Sequence, residues 1–320
     1  MQQEPPGQPK LDTRHPFTRA QALASGLDPR VLRSADYHRL LHGVYVSTAC
    51  PITPQLLAEA ALVTQPRGAF VSHQTAARLL DIPIPDHADE HVTVRHEDDR
   101  RRRRGVRCHI ASADARVGLF RGVPISMPTQ LFVELAEFLS FVDLVVAGDA
   151  LVGHERVTVE ELVGACHRSS DQYARLALRA AKYVRHGVDS PMETRLRLLI
   201  VLAGLPEPKV NHVVHDDRGN PVRRFDLSYP GLKLLVEYDG RQHADDPAQY
   251  DSDVYRREDL DRWGWRLVIV TAKGIYVKPE ETLFRVRRAL AERDATGLPR
   301  SFSDEWRPHF PVRKPVRRSS

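Results

Sequence analysis

Apolar positions recur at helical spacing in SPMETRLRLLIVLAGLPEP, where Met192, Leu196, Leu199, Ile200 and Ala203 fall on one face. Ser190 caps this helix, Pro191 suits its first position and Gly204 stops it. The period then changes. VNHVVHDDRGN reads as a strand turning at Gly219-Asn220, and FDLSYPGLKLLVEYDGRQH reads as two strands joined through Pro230-Gly231. A charged helix over 249–263 and the apolar strand WRLVIVT follow. Helix, three-stranded meander, crossover helix and closing strand describe an α/β domain over 188–295 whose mixed sheet is mostly buried.

The N-terminal pattern is shorter in period. Thr18 and Gln21 form a capping box for a first helix, and Gly26 supplies the left-handed residue that ends it. Asp28 caps a second helix with Pro29 at its first position, and RLLHGVYVS reads as two strands pivoting at Gly43. Helix, tight turn, helix and hairpin over 15–50 outline a mostly α winged helix-turn-helix, or a helical pair used only for packing. A winged unit would bring Arg30, Arg33 and Arg39 to DNA. Over 51–187 the pattern gives an α+β region and a helical connector. Ser72 opens the helix SHQTAARLLDI, and HVTV and GVRCHIA are strands flanking RHEDDRRRRRG. That charged run reads as a solvated hairpin loop, partly neutralised by Glu97, Asp98 and Asp99, with phosphate contact by Arg100 to Arg104 as the alternative. Two apolar helices span Thr129 to Val152, and others follow to about Arg185. Residues 1–14 form a polar leader and 296–320 a basic, Pro-rich tail, both expected to be disordered. The chain is therefore multidomain.

Composition changes this picture little. The 320 residues are 42% hydrophobic, enough for ordinary cores. Lys and Arg total 47 against 42 Asp and Glu, and the net charge of +5 permits a polyanionic partner without demanding one. Cys50, Cys108 and Cys166 lie far apart, so neither a cysteine zinc cluster nor a disulfide framework is indicated, and a reducing cytoplasm fits. The N-terminus lacks a signal-peptide pattern. The longest apolar run, LSFVDLVVAGDALV, is interrupted by Asp143 and Asp149 and is too short to cross a membrane. His38 and His42 have metal-binding helical spacing but no accompanying glutamate, and are read as structural.

The chemistry lies in the acids of the second meander hairpin. A turn centred between Gly231 and Leu232 sets Asp226 opposite Glu237, whereas an odd loop would separate their faces. Alternation puts Glu237 and Asp239 on one face of their strand and Val236 and Tyr238 on the other. Carboxylates gathered in a sheet resist ionising together unless a cation lies among them, and Mg²⁺ or Mn²⁺ is the natural compensation.

Glu193 on a helix, then Asp226, ten residues, Glu237, one residue, Asp239 and Gly240, resembles the PD-(D/E)XK restriction-endonuclease-like superfamily. Within it the chain is most similar to a branch related to very-short-patch-repair endonucleases, through EYDGRQH and the later pair Asp253 and Arg256; the likeness covers about Val188 to Arg293. FTRAQALASGL, GVYVS, SHQTAARLL and GVPISMPTQ are similar to proteins with an AbiEi-like type IV toxin-antitoxin antitoxin domain. The first resemblance implies phosphodiester hydrolysis, with Asp226 and Glu237 as metal ligands and Glu193 holding a water from the helix side. The lysine usual two residues after the second acid is Asp239 here, and His243 is the candidate replacement base. Each residue has a plainer role too: Glu193 completes a capping box, Asp226 pairs with Arg223 or Arg224, Asp239 shapes a turn before Gly240, and His243 is an exposed loop residue. Arg256 and Arg257 on the charged helix reach a phosphate or are merely solvated. The expected partner is DNA, with an unknown toxin as a further partner. The alternative is a non-catalytic DNA-binding regulator that keeps an inactive nuclease fold.

Overall fold

Three sheets organise the structure, a computed structural model that describes residues 11–215, 219, 221–240 and 258–311. The chain divides into two units, residues 11–139 with 161–177, and residues 140–160 with the described residues from 178 to 311.

In the first unit β1 (Phe17–Thr18) leads into α1 (Arg19–Ala24), and a hairpin of β2 (Tyr37–Leu41) and β3 (Val44–Ser47) completes a small sheet in the order β1-β3-β2. Thr18 accepts the Gln21 N–H at 3.2 Å while Gln21 Oε1 accepts the Thr18 N–H at 2.7 Å, so the capping box is present in full. Gly43 sits in the hairpin turn at φ +75°, a conformation glycine adopts without strain. The second helix of the sequence reading is instead a single 3₁₀ turn, Val31–Arg33. Asp28 Oδ1 accepts the Arg30 N–H at 2.8 Å, and Ser34 and Asp36 bond each other directly afterwards. Local turns at both ends leave too few residues to nucleate an α-helix. The module is strand-rich, and Arg30, Arg33 and Arg39 are exposed on it. His38 lies on β2 and His42 in the hairpin turn, so their helical spacing has no helix to act on.

The larger sheet of this unit has the order β6-β5-β4-β8-β7, built from β4 (Phe70–Val71), β5 (Glu90–Val94), β6 (Val106–Ile110), β7 (Val117–Phe120) and β8 (Val123–Ser126). Helices α2 (Pro54–Leu62), α3 (His73–Leu79) and α4 (Pro128–Leu135) accompany it. β5 and β6 run parallel, so the arginine-rich run between them is a crossover and not the expected hairpin loop. Its eleven residues, 95–105, are near the length that a parallel connection requires. Strand patterns alone do not carry strand direction.

Helices α5 (Phe141–Gly153), α6 (Val159–Arg168) and α7 (Ala174–Ala181) lie along the expected helical stretch. In the second unit α8 (Pro191–Leu202) precedes β9 (Lys209–His215), β10 (Pro221–Tyr229) and β11 (Leu234–Asp239). Helical residues 258–262 (α9), β12 (Arg266–Thr271), α10 (Ala272–Tyr276) and α11 (Pro279–Ala291) follow. The sheet order is β12-β11-β10-β9, antiparallel except for the parallel β11–β12 pair, which is the meander and crossover read from the sequence. Leu196, Leu199, Ile200, Val236, Val270, Leu283 and Val286 are wholly buried in this unit. Val214, Phe225, Leu235 and Leu260 form an apolar cluster with Trp263 and Trp265. Residues 296–311 are not the disordered tail expected from their composition. Trp306 and Phe310 are buried, and the Ser303 N–H donates to Ala203 O at 3.0 Å. Two aromatic anchors outweigh a basic, Pro-rich context.

Candidate functional site

The β10–β11 ladder pairs Leu227 with Val236, Ser228 with Leu235 and Tyr229 with Leu234. Its turn is a 3₁₀ segment, Pro230–Leu232, closed by Lys233 in the left-handed region at φ +48°. Continuing the same register by one residue sets Asp226 opposite Glu237. Asp226 Oδ2 accepts the Tyr238 N–H at 3.1 Å, which ties this carboxylate to the neighbouring strand. On the other side β11 pairs Glu237 with Ile269 and Asp239 with Thr271 of β12. All three acids are half-buried, Asp226 and Glu237 within their strands and Asp239 at the end of β11.

Glu193, on α8, is near enough to Asp226 to feel its charge, although among the described residues only His73, His91 and His109 bring three ligand atoms within 4.8 Å of one another. Glu193 lies in the first turn, where its N–H donates to the Ser190 cap at 3.3 Å and its Oε2 accepts the Asp189 N–H at 3.1 Å. The side chain thus reaches the residue before the cap, a variant of the box read from the sequence. Only 7% of Glu193 is exposed. Burial, and then the negative charge of Asp226, push its carboxyl up to about 7 against the opposing hydrogen bonds from Ser190 and Asp189. Glu193 and Asp226 therefore share one electrostatic environment. Arg224 forms an ion pair with Asp189, beside the start of α8. The Tyr276 hydroxyl lies 3.5 Å from Met192 Sδ, and burial, Tyr276 and Asp239 together raise the Tyr238 hydroxyl pKa.

This donor set consists of carboxylate oxygens, the chemistry that suits a hard divalent cation. A cation beside Glu193 and Asp226 would offset both the burial and the Asp226 charge that keep Glu193 protonated to near neutrality. His243, Asp253, Arg256 and Arg257 lie outside the described residues. Arg30, Arg33 and Arg39 belong to the N-terminal unit. Sequence reasoning missed the Arg224–Asp189 pair, whose partners are 35 residues apart. It also assigned nothing to His73, His91 and His109, which meet in the first unit.

No protein-family model matches the chain. Two uncharacterised proteins from strains of Mycobacterium tuberculosis, Rv2248 and MT2308, are 26% identical to it over 180 residues, 55% of this chain. The match spans 65% of each relative, just under two thirds of its length. Among the described residues no helix is long and apolar enough to cross a membrane.

Proposed function

We propose that the protein is a Mg²⁺- or Mn²⁺-dependent DNA endonuclease acting in the cytoplasm, with Asp226, Glu237 and Glu193 as its metal-binding carboxylates. The observation that carries this reading is the buried helix carboxylate of Glu193 set against Asp226 at the end of the β10–β11 ladder. The ion supplies Lewis acidity toward a scissile phosphate. Asp226 is oriented by the Tyr238 N–H, Glu237 stands opposite it by register, and Glu193 can exchange a proton near neutral pH. Asp239 occupies the place of the family's lysine, and His243 is the candidate base. The N-terminal module is a shortened, winged-helix-like DNA grip using Arg30, Arg33 and Arg39, with Arg256 and Arg257 as further phosphate contacts. DNA repair and defence against mobile elements are the settings that fit.

The test is incubation with supercoiled, nicked, mismatched and single-stranded DNA, with Mg²⁺, Mn²⁺ or chelator. Metal-dependent cleavage of at least one substrate is expected. Asp239 in place of lysine favours a second reading, a non-catalytic DNA-binding regulator similar to an antitoxin. That reading expects no cleavage of any substrate, together with sequence-selective binding upstream of the protein's own gene.

A further inference from the structure

Three histidines unrelated to the carboxylate cluster converge in the N-terminal unit. His73 opens α3, His91 lies on β5 and His109 on β6. The parallel register pairs His91 with Arg107 and Thr93 with His109, so the two strand histidines are diagonal neighbours on one face. His91 Nδ1 stands 3.0 Å from His109 Nε2, and the His73 and His109 rings stack with centroids 3.8 Å apart. One nitrogen from each ring lies within 4.8 Å of the other two.

The surroundings are those of ligands. His73 and His91 are 6% and 3% exposed, and His109 is half-buried. Ser72 Oγ meets His73 Nδ1 at 2.9 Å and accepts the Thr93 hydroxyl at 2.7 Å, an outer contact that fixes the ring. The other nitrogen, Nε2, faces Glu137 Oε2 at 3.7 Å. Glu134 is held nearby by the His73 N–H, Ser126 and Gln130, with Oε2 3.9 Å from His73 Nδ1. Two carboxylates beside the imidazoles favour a dication. Arg107 opposes it, although its guanidinium lies over the Phe138 ring at 5.1 Å. A cavity of about 570 Å³, lined in part by His73, His109, Glu134 and Glu137, leads to the cluster.

We propose that His73, His91 and His109, completed by Glu137, bind one divalent transition-metal ion of the Zn²⁺ type. A nitrogen-rich set selects a borderline ion over Mg²⁺. Metal–nitrogen bonds of about 2.1 Å imply tetrahedral edges of roughly 3.4 Å. The His91–His109 separation of 3.0 Å and the His73–Glu137 separation of 3.7 Å bracket that edge. The His73 ring has to turn out of its stack with His109 to close the set.

The untagged full chain, stripped with chelator and dialysed, is titrated with Co²⁺ while visible absorption is followed, and then with Zn²⁺ in competition. One equivalent of Co²⁺ with the intense bands of tetrahedral coordination is expected, displaced by Zn²⁺ and unaffected by excess Mg²⁺. His109→Gln abolishes the bands, Glu137→Gln weakens binding by roughly 10- to 100-fold, and Asp226→Asn changes neither. Absence of the bands in the wild-type chain overturns the proposal irrespective of how any variant folds. Bands that survive in a folded His109→Gln protein, judged by circular dichroism, place the metal elsewhere and overturn it equally.

Discussion

A single carboxyl ties stability to the site. Glu193 keeps its proton up to about 7 in the folded chain, against a reference value of 4.5. Between those values the unfolded chain has lost the proton and the folded chain retains it. Stability therefore falls as pH rises through that window, by linkage. Urea unfolding at steps across it should show this decline in the wild type and a flatter profile in Glu193→Gln. Saturating Mg²⁺ should flatten the wild-type profile as well; a profile that ignores both changes would remove Glu193 from the proposed metal site. A second residue-scale case is Arg197, wholly buried, which donates to Asp149 at 3.0 Å and to Tyr183 O at 2.8 Å. Arg197→Met leaves the buried Asp149 its hydrogen bonds from the Arg185 N–H and the Thr194 hydroxyl but removes its counter-ion, so a loss of about 3–5 kcal/mol is expected in chemical denaturation. The opposition of Asp226 and Glu237 was legible in the sequence because register follows from turn length. The Asp149–Arg197 pair was not, since its 48-residue separation is bridged only by helix packing.

At the scale of elements, local rules were strongest where they acted alone. The α8 helix, the meander and the β12 strand follow from period, capping and turn residues, and the structure has them in that order. The expected helix after Asp28 gave way to side-chain turns, and the expected hairpin over Glu97–Arg104 gave way to a parallel crossover. Both errors concern what short polar segments do, where several conformations differ by little energy. The C-terminal segment erred differently, because its two buried aromatics are sparse in a polar context. Trp306→Ala should cost about 3–5 kcal/mol in thermal or urea unfolding, whereas a true tail would register no change. The α10–α11 contact offers another check. A Cβ on Gly274 would lie 2.8 Å from Thr282 Oγ1 and 3.1 Å from Val270 Cγ1, so Gly274→Ala should destabilise by about 1–3 kcal/mol.

For the whole molecule, the proposed function assigns the grip on DNA to the first unit and the cutting to the second. The net charge of +5 is modest, so binding should rest on specific arginines and weaken with salt. Arg39→Ala should lower the slope of log affinity against log salt by about one, measured by fluorescence anisotropy on a labelled duplex. Loss of binding without a change in slope would argue for a structural role. The most direct measurement of the central claim is single-turnover cleavage of supercoiled plasmid, with Mn²⁺ or Mg²⁺ supplied, by the wild-type chain beside Asp226→Ala and Glu237→Ala. The account predicts nicking or linearisation that chelator abolishes and that each substitution slows by about 100-fold or more. Equal behaviour of all three proteins, with and without metal, would contradict it.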